Sequence, residues 1–256
     1  MEQKVFNLYK KIGETPLQRL DRFINEGGLL GEKLSYVGRL DPMASGVMIV
    51  VLGDENKNRA NYLSFDKEYE FEVIFGVSTD THDLLGKITS FDNKKLIQED
   101  FSLEIEKELK TFLGKIKQKY PIYSSKPVSG KPLFEWARED RLEEIEIPEK
   151  EIEVFNTSLS KTYQISRDEL ENNIKEKIEL ISGDFRQEEI LKTWDKYLKE
   201  NSQESYLIAK IKINCSSGTY VRKIVDDLGK KLGIPTTTFS ISRTRVGDYK
   251  IEDSMK

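Results

Sequence analysis

At 256 residues, 37% hydrophobic and 34% charged, the chain is long enough to bury one large core or two small ones. No apolar stretch reaches the ~18–20 residues of a membrane helix, and the charged N-terminus, with Lys4, Lys10 and Lys11, lacks a signal-peptide core, so a soluble, cytoplasmic protein is expected. A single cysteine, Cys215, and a single histidine, His82, exclude an internal disulfide, a cysteine metal cluster and most zinc sites, which leaves carboxylates, tyrosines and basic groups for any chemistry.

Thr15 followed by Pro16 reads as an N-cap with proline at the first helical position; Leu17, Leu20, Phe23 and Ile24 fall at helical spacing, and Gly27-Gly28 stops the helix. It leads into the most informative stretch, Gly38-Arg39-Leu40-Asp41-Pro42-Met43-Ala44-Ser45-Gly46, after which an apolar run to Leu52 reads as a short buried strand. Pro42 fixes its own φ and biases Asp41 toward extended backbone, so covalent geometry aims the carboxylate from a loop at the strand entrance. Taken alone, Asp-Pro between glycines is also an ordinary turn with an exposed acid.

From Lys67 to Phe75, Tyr69, Phe71, Val73 and Phe75 alternate with three glutamates, the pattern of a half-buried strand with its aromatics on one face. In such a stripe Tyr69 reads as core, although its place at the strand's start leaves room for a cleft. Thr79-Asp80-Thr81-His82-Asp83, between Gly76 and Gly86, is a polar loop of short side chains suited to bonds with backbone, and His82 is read as facing solvent. Ser102 to Gly114 places Ile105, Leu109, Phe112 and Leu113 at helical spacing. Beyond it Lys115, Lys117, Lys119, Lys126 and Lys131 are interleaved with Tyr120 and Tyr123 and broken by Pro121, Pro127, Gly130 and Pro132, so the segment is read as a loop outside regular structure. Lysine charge beside tyrosine rings fits a phosphate-contacting arm, and equally a solvated lysine-rich loop.

The net charge of −4 is unevenly placed: residues 141–205 hold 17 acidic and 10 basic side chains, whereas 206–256 hold 10 basic and 5 acidic ones. An acidic insertion in a mildly basic body is compatible with RNA binding and does not demand it. Residues 160–203, with Ile178, Ile181, Phe185, Ile190, Leu191, Trp194 and Leu198, read as two amphipathic helices around Gly183 that pack an apolar stripe on the body. Leu207 to Cys215 alternates as a strand, and Ser216-Ser217-Gly218-Thr219-Tyr220 then opens a helix stopped by Gly233 and Pro235. Arg222 sits in the first turn of that helix, the positive end of its dipole, and so calls for an anionic partner. The last strand-like segment, Phe239 to Tyr249, carries Arg243 and Arg245.

Six motifs in register carry a resemblance: Gly38-x-Leu40-Asp41-Pro42-x-Ala44-Ser45-Gly46-Val47; Lys67-x-Tyr69; Thr79-Asp80-Thr81-x-Asp83-x-x-Gly86; Pro121-x-Tyr123-Ser124-Ser125-Lys126 with Gly130-Lys131 and Ala137-Arg138; Cys215-Ser216-x-Gly218-Thr219-Tyr220-Val221-Arg222 with Asp226-Asp227-Leu228-Gly229; and Arg243-Thr244-Arg245-Val246-Gly247. Together they resemble the TruB family of tRNA pseudouridine synthases over most of residues 8–155 and 206–253.

The resemblance implies an α+β pseudouridine synthase fold, a mixed, mostly antiparallel sheet with flanking helices and a basic RNA-binding cleft. It implies conversion of the uridine at position 55 of the tRNA TΨC loop to pseudouridine by base flipping, with no cofactor and no metal. Residues 1–256 would form one catalytic domain with a thumb-like loop at about 115–140, a helical insertion at about 160–204 and no PUA domain, acting as a monomer on the TΨC arm.

By the same resemblance Asp41 is the catalytic aspartate, either a nucleophile at the anomeric carbon or a base toward a sugar proton. Tyr69 stacks on the target base, and Arg222 pairs with Asp41 and favours its ionised form. Lys126 and Lys131 contact phosphates, with Tyr123, Tyr220 and Arg243 as further RNA contacts. Two positions depart from the family pattern. Tyr36 stands where the family has a histidine wedged beside the flipped nucleotides, and Arg39 precedes Leu40-Asp41 as in related synthases acting on ribosomal RNA; both are expected to touch RNA. They motivate a second expectation, a synthase for another RNA site. A third is an RNA-binding chaperone that helps tRNA fold without catalysis.

Overall fold

A computed structural model of the chain describes residues 4–92 and 98–256. The chain enters on β1 (Val5–Lys10) and turns into α1 (Pro16–Glu26). A reciprocal cap starts this helix: Gln18 N donates to Thr15 Oγ1 at 3.2 Å, and Thr15 N donates to Gln18 Oε1 at 2.7 Å. β2 (Leu34–Val37), β3 (Ala44–Leu52), the short α2 (Arg59–Ser64) and β4 (Lys67–Phe75) follow. β3 is buried along its whole length, as its unbroken apolar run requires.

A side ribbon of β5 (Val77–Thr79) and β6 (Ile88–Phe91) precedes α3 (Gln98–Lys110) and β7 (Gly114–Lys119). A second ribbon, β8 (Pro127–Val128) with β9 (Lys131–Pro132), runs into α4 (Leu133–Arg138) and the long β10 (Glu149–Ser166). The hairpin of α5 (Arg167–Glu179) and α6 (Gln187–Glu200) returns to β11 (Ser205–Cys215), α7 (Val221–Leu232), β12 (Thr236–Val246) and β13 (Tyr249–Lys250).

The main sheet runs β1-β3-β12-β4-β11-β10-β7, with β2 also paired to β3 and β13 to β12. β12 and β3 are parallel, and the remaining pairs are antiparallel. The strict alternation of β4 works as read. Tyr69, Phe71, Val73 and Phe75 enter a core closed by Ile105 and Leu109 of α3 and by Ile224, Val225 and Leu228 of α7. Ile74 and Ile208 lie in a second core, covered by Leu170, Ile174 and Ile178 of α5 and by Ile190 and Trp194 of α6. Helices therefore flank the sheet on both faces. Among the described residues no helix is long and apolar enough to cross a membrane.

Two expectations need correction. Lys115 to Lys119 is an edge strand, β7, where a loop was expected. It pairs with β10 so that Lys115, Lys117 and Lys119 stand opposite Glu153, Glu151 and Glu149, and the cross-strand charges settle residues that local composition assigns to loop. The helical segment expected from about residue 160 begins as strand, because β10 runs to Ser166 before that serine caps α5. The two helices flank Gly183 as expected.

Candidate active site

Asp41 projects from the turn between β2 and β3. Gly38 takes φ +73°, a conformation that favours glycine, and Leu40 is buried beneath the turn. Two backbone bonds fix the remainder: Gly13 N donates to Pro42 O at 2.9 Å, and Ala44 N donates to Asp41 O at 3.0 Å. The Asp41 side chain stays 37% exposed.

Tyr69 enters from β4. Its register partner on β12 is Arg243, whose partner on the other side is Gly46 of β3. A β-carbon at Gly46 would stand 2.2 Å from Arg243 O, so only glycine lets these strands meet. Burial pushes the Tyr69 phenol up to about 12, with the Arg243 guanidinium beside it pulling the other way. Arg243 supports this arrangement from below. It is buried, with Nε donating to Val47 O at 2.8 Å and Nη1 to Arg39 O at 3.4 Å, so it braces β3 and the Asp41 turn while also lining the cleft.

Arg222 enters from the first turn of α7, and Gln118 of β7 holds Tyr220, the N-cap of that helix, from both sides. Tyr220 N donates to Gln118 Oε1 at 2.8 Å, and Gln118 Nε2 donates to Tyr220 O at 3.2 Å. The anionic partner that the helix position called for is Asp41: Arg222 Nε donates to its Oδ2 at 2.7 Å. Nη1 donates to Thr81 O at 2.6 Å and Nη2 to Tyr123 O at 3.2 Å, so one buried guanidinium ties together four segments of chain. Burial works to lower the Arg222 pKa, but the Asp41 and Asp83 attractions and the hydrogen bond to Asp41 together outweigh it and leave the pKa raised.

Asp83, quoted in a motif but given no role from sequence, is the second carboxylate at this guanidinium, 3.7 Å from Nε. Its Oδ1 accepts from Thr81 Oγ1 at 2.7 Å and from Leu85 N at 3.0 Å. Burial raises its pKa to about 6, against the pull of Arg222 and with a push from Asp41. The neighbouring His82 does not face solvent as read. It takes φ 61°, its carbonyl accepts from Thr238 N at 2.9 Å, its ring lies 3.7 Å from Asp226, and burial lowers its pKa to about 4.

Two lysines given no role from sequence, Lys10 and Lys67, are buried beside the site. Lys10 Nζ donates to Lys11 O at 2.9 Å and to Glu14 O at 2.6 Å; burial lowers its pKa to about 8 although Asp41 and Glu14 oppose that shift. Lys67 donates to Leu63 O at 2.7 Å and to Phe65 O, and burial likewise lowers it to about 8. The available signal was period two: Lys10 shares the inward face of β1 with Leu8, and Lys67 shares that of β4 with Tyr69.

Asp41, Tyr69 and Arg222 line one cleft of about 980 Å³, a size suited to an extruded nucleotide. Among the described residues its lining holds seven Lys or Arg side chains against three aspartates, so the cleft is basic within an acidic protein. Tyr36, exposed Arg39, Tyr123, Lys126, Tyr220 and Arg243 are on its wall. Lys131 is not: it pairs with Glu139 and lies 4.0 Å over the Trp136 ring.

Residues 28–185 match the TruB family pseudouridylate synthase N-terminal domain. The tRNA pseudouridine synthase B of Caldanaerobacter subterraneus subsp. tengcongensis is 35% identical over 251 residues, covering 98% of this chain and 71% of that protein. The tRNA pseudouridine synthase 4 of Saccharomyces cerevisiae is 31% identical over 253 residues, covering 86% of this chain and 62% of its own length. Among solved structures, a chain of a Cbf5-Nop10-Gar1 complex superposes with a TM-score of 0.56 at 19% identity, covering 96% of this chain and 50% of that one. A chain of an H/ACA RNP bound to a substrate RNA containing 2′-deoxyuridine gives 0.54 at 17% identity, covering 96% and 48%. At such identities the likeness is one of fold. The chain spans from 48% to 71% of the length of these proteins.

Proposed function

The chain belongs to the TruB family of pseudouridylate synthases, and on that premise we propose that it converts the uridine at position 55 of the tRNA TΨC loop to pseudouridine. The observation that carries this reading is the Arg222–Asp41 bond of 2.7 Å at the floor of a basic cleft that also holds Tyr69. The reaction is an isomerisation: the N1–C1′ bond breaks, the base turns, C5 bonds to C1′, the C5 proton leaves and N1 takes up a proton. Atoms balance without a co-reactant.

Each residue has a place in that sequence. The target uridine is flipped from the folded loop at a cost of a few kcal/mol, on the order of what contacts to one extruded base return. Lys126 and Arg39 meet phosphates, and Tyr36, Tyr123 and Tyr220 offer ring faces to the displaced nucleotides. Arg222 holds Oδ2 of Asp41, which leaves Oδ1 to act on the ribose. Tyr69 packs against the base from β4, and Arg243 keeps that ring and the Asp41 turn in register from beneath.

The test is release of tritium from C5-labelled uridine in tRNA. Wild type releases it, and Asp41→Asn binds the same tRNA without release. A wild type that binds and releases none returns the protein to the chaperone reading. Exposed Arg39 favours one further reading, a synthase for another RNA site. Pseudouridine mapping in cells lacking the gene separates the two: intact tRNA position 55 with a missing ribosomal site decides for the second.

A further inference from the structure

We propose that Arg186, in the turn between α5 and α6, is a positioning residue for the reaction assigned above: it holds Tyr123, Tyr123 holds Arg222, and Arg222 holds Asp41. The inference rests on the synthase reading. Its steps are direct contacts. Arg186 Nη1 donates to Tyr123 OH at 2.7 Å and to Asp80 Oδ2 at 2.7 Å, and the guanidinium carbon lies 4.3 Å from the Tyr123 ring centroid. The carbonyl of the same tyrosine accepts from Arg222 Nη2 at 3.2 Å.

Packing of the two helices does not by itself call for this contact, because their buried apolar side chains lie in the second core. The turn instead reaches three parts of the cleft wall. Gln18 Nε2 donates to Ser182 Oγ at 2.6 Å, Arg138 Nη2 donates to Asp184 O at 2.5 Å, and Arg186 takes Asp80 and Tyr123. Within the turn Gln187 Nε2 donates to Ile181 O at 3.1 Å and to Gly183 O at 2.8 Å, which makes it stiff. Arg186 takes φ 64°, a conformation costing a non-glycine residue on the order of 1 kcal/mol and kept where surrounding contacts determine it. Its side chain is only 16% exposed, so most of its surface is already committed to protein.

The experiment compares wild type with Arg186→Ala and Arg186→Lys, with Lys192→Ala on the exposed face of α6 as control, in single-turnover tritium release at saturating tRNA alongside tRNA affinity. A wild type that releases no tritium brings down the synthase reading, and this inference with it. Given an active wild type, Arg186→Ala slows the saturated rate by about 10- to 100-fold with affinity unchanged, the size expected when a distant change shifts a reacting group. Arg186→Lys keeps the Asp80 charge pair but not the planar stack and restores only part of the rate; Lys192→Ala matches wild type. An unchanged saturated rate in Arg186→Ala overturns the proposal, and a loss confined to affinity makes Arg186 an RNA contact instead. If Arg186→Ala does not fold, Arg186→Lys decides, and a wild-type rate in it overturns the proposal.

Discussion

Arg222 and Asp41, 181 positions apart in the chain, meet with Nε 2.7 Å from Oδ2. The guanidinium also serves Thr81 O, Tyr123 O and the Asp83 carboxylate, so it is simultaneously the counter-charge of two acids and a clasp between segments. Position and charge in this site come from one side chain.

Arg222→Lys keeps the charge and loses the planar fork, and an ammonium cannot reach these acceptors together. The expected result is at least a ~100-fold fall in single-turnover rate, with a stability loss of about 3 kcal/mol as buried partners lose their donors. Tritium release and urea unfolding measure the two. A near-native rate in this variant means that charge alone suffices at Asp41.

Asp83 makes stability depend on pH in a defined direction. Its folded pKa is about 6 against an ordinary 3.8, so between those values the folded protein binds a proton that the unfolded chain has released. Stability from this group is therefore full below pH 4 and is lost as pH rises through 6, by about 3 kcal/mol. Asp83→Asn cannot titrate, and the difference between wild-type and variant unfolding free energies should change between pH 4 and 6 and then level off. A constant difference over that window shows that the raised pKa is not real.

Lys126 and Lys131, indistinguishable as sequence, are separated by structure. Lys126 is on the cleft wall 5.1 Å over the Tyr120 ring, whereas Lys131 is taken by Glu139 and Trp136. Lys126→Ala should therefore weaken tRNA binding and reduce the slope of log K against log salt by about one, with Lys131→Ala close to wild type. Equal slopes in both variants remove the assignment.

The elements legible in sequence are those whose signal is local. Thr15-Pro16, the alternation of β4 and the apolar run of β3 each carry their own period, and each formed with nearly the bounds read for it. The convergence of Asp41, Tyr69 and Arg222 was legible through motif order, and the anionic partner of Arg222 through its place at a helix start. What stayed hidden depends on partners far away in the chain. Lys115 to Lys119 became strand because β10 supplied glutamates opposite it, His82 was drawn inward by the loop that also buries Asp83, and Arg243 sank beneath the site because Gly46 let β3 and β12 close.

Tyr69 is neutral at pH 7: an ordinary phenol is ionised there in about one molecule in 10³, and burial, pushing this one up to about 12, lowers that to about one in 10⁵. Its part in the reaction must then come from the ring face and the protonated hydroxyl. Tyr69→Phe keeps the ring and should leave tRNA affinity unchanged while slowing the saturated rate, and the wild-type rate should show no alkaline limb from this group up to about pH 10. A limb near pH 8 that disappears in Tyr69→Phe means that the phenolate is the working form.

Gly46 tests whether the strand geometry beneath the site matters to the chemistry above it. A methyl group there would lie 2.2 Å from Arg243 O and 2.7 Å from Arg243 N, with φ at +111°, so β3 and β12 must separate where Arg243 braces Tyr69 and the Asp41 turn. Gly46→Ala should cost more than ~3 kcal/mol and lower the melting temperature by about 10 °C. Gly53→Ala is the control: φ there is also positive, at +59°, but nothing lies within 4 Å of the added carbon, so only backbone strain of ~1 kcal/mol applies. Below its melting temperature the Gly46 variant should also lose turnover out of proportion to its folded fraction, because displacing Arg243 moves the ring and the carboxylate together. Full activity per folded molecule would show that the register of β3 and β12 supports the fold without aiming the site.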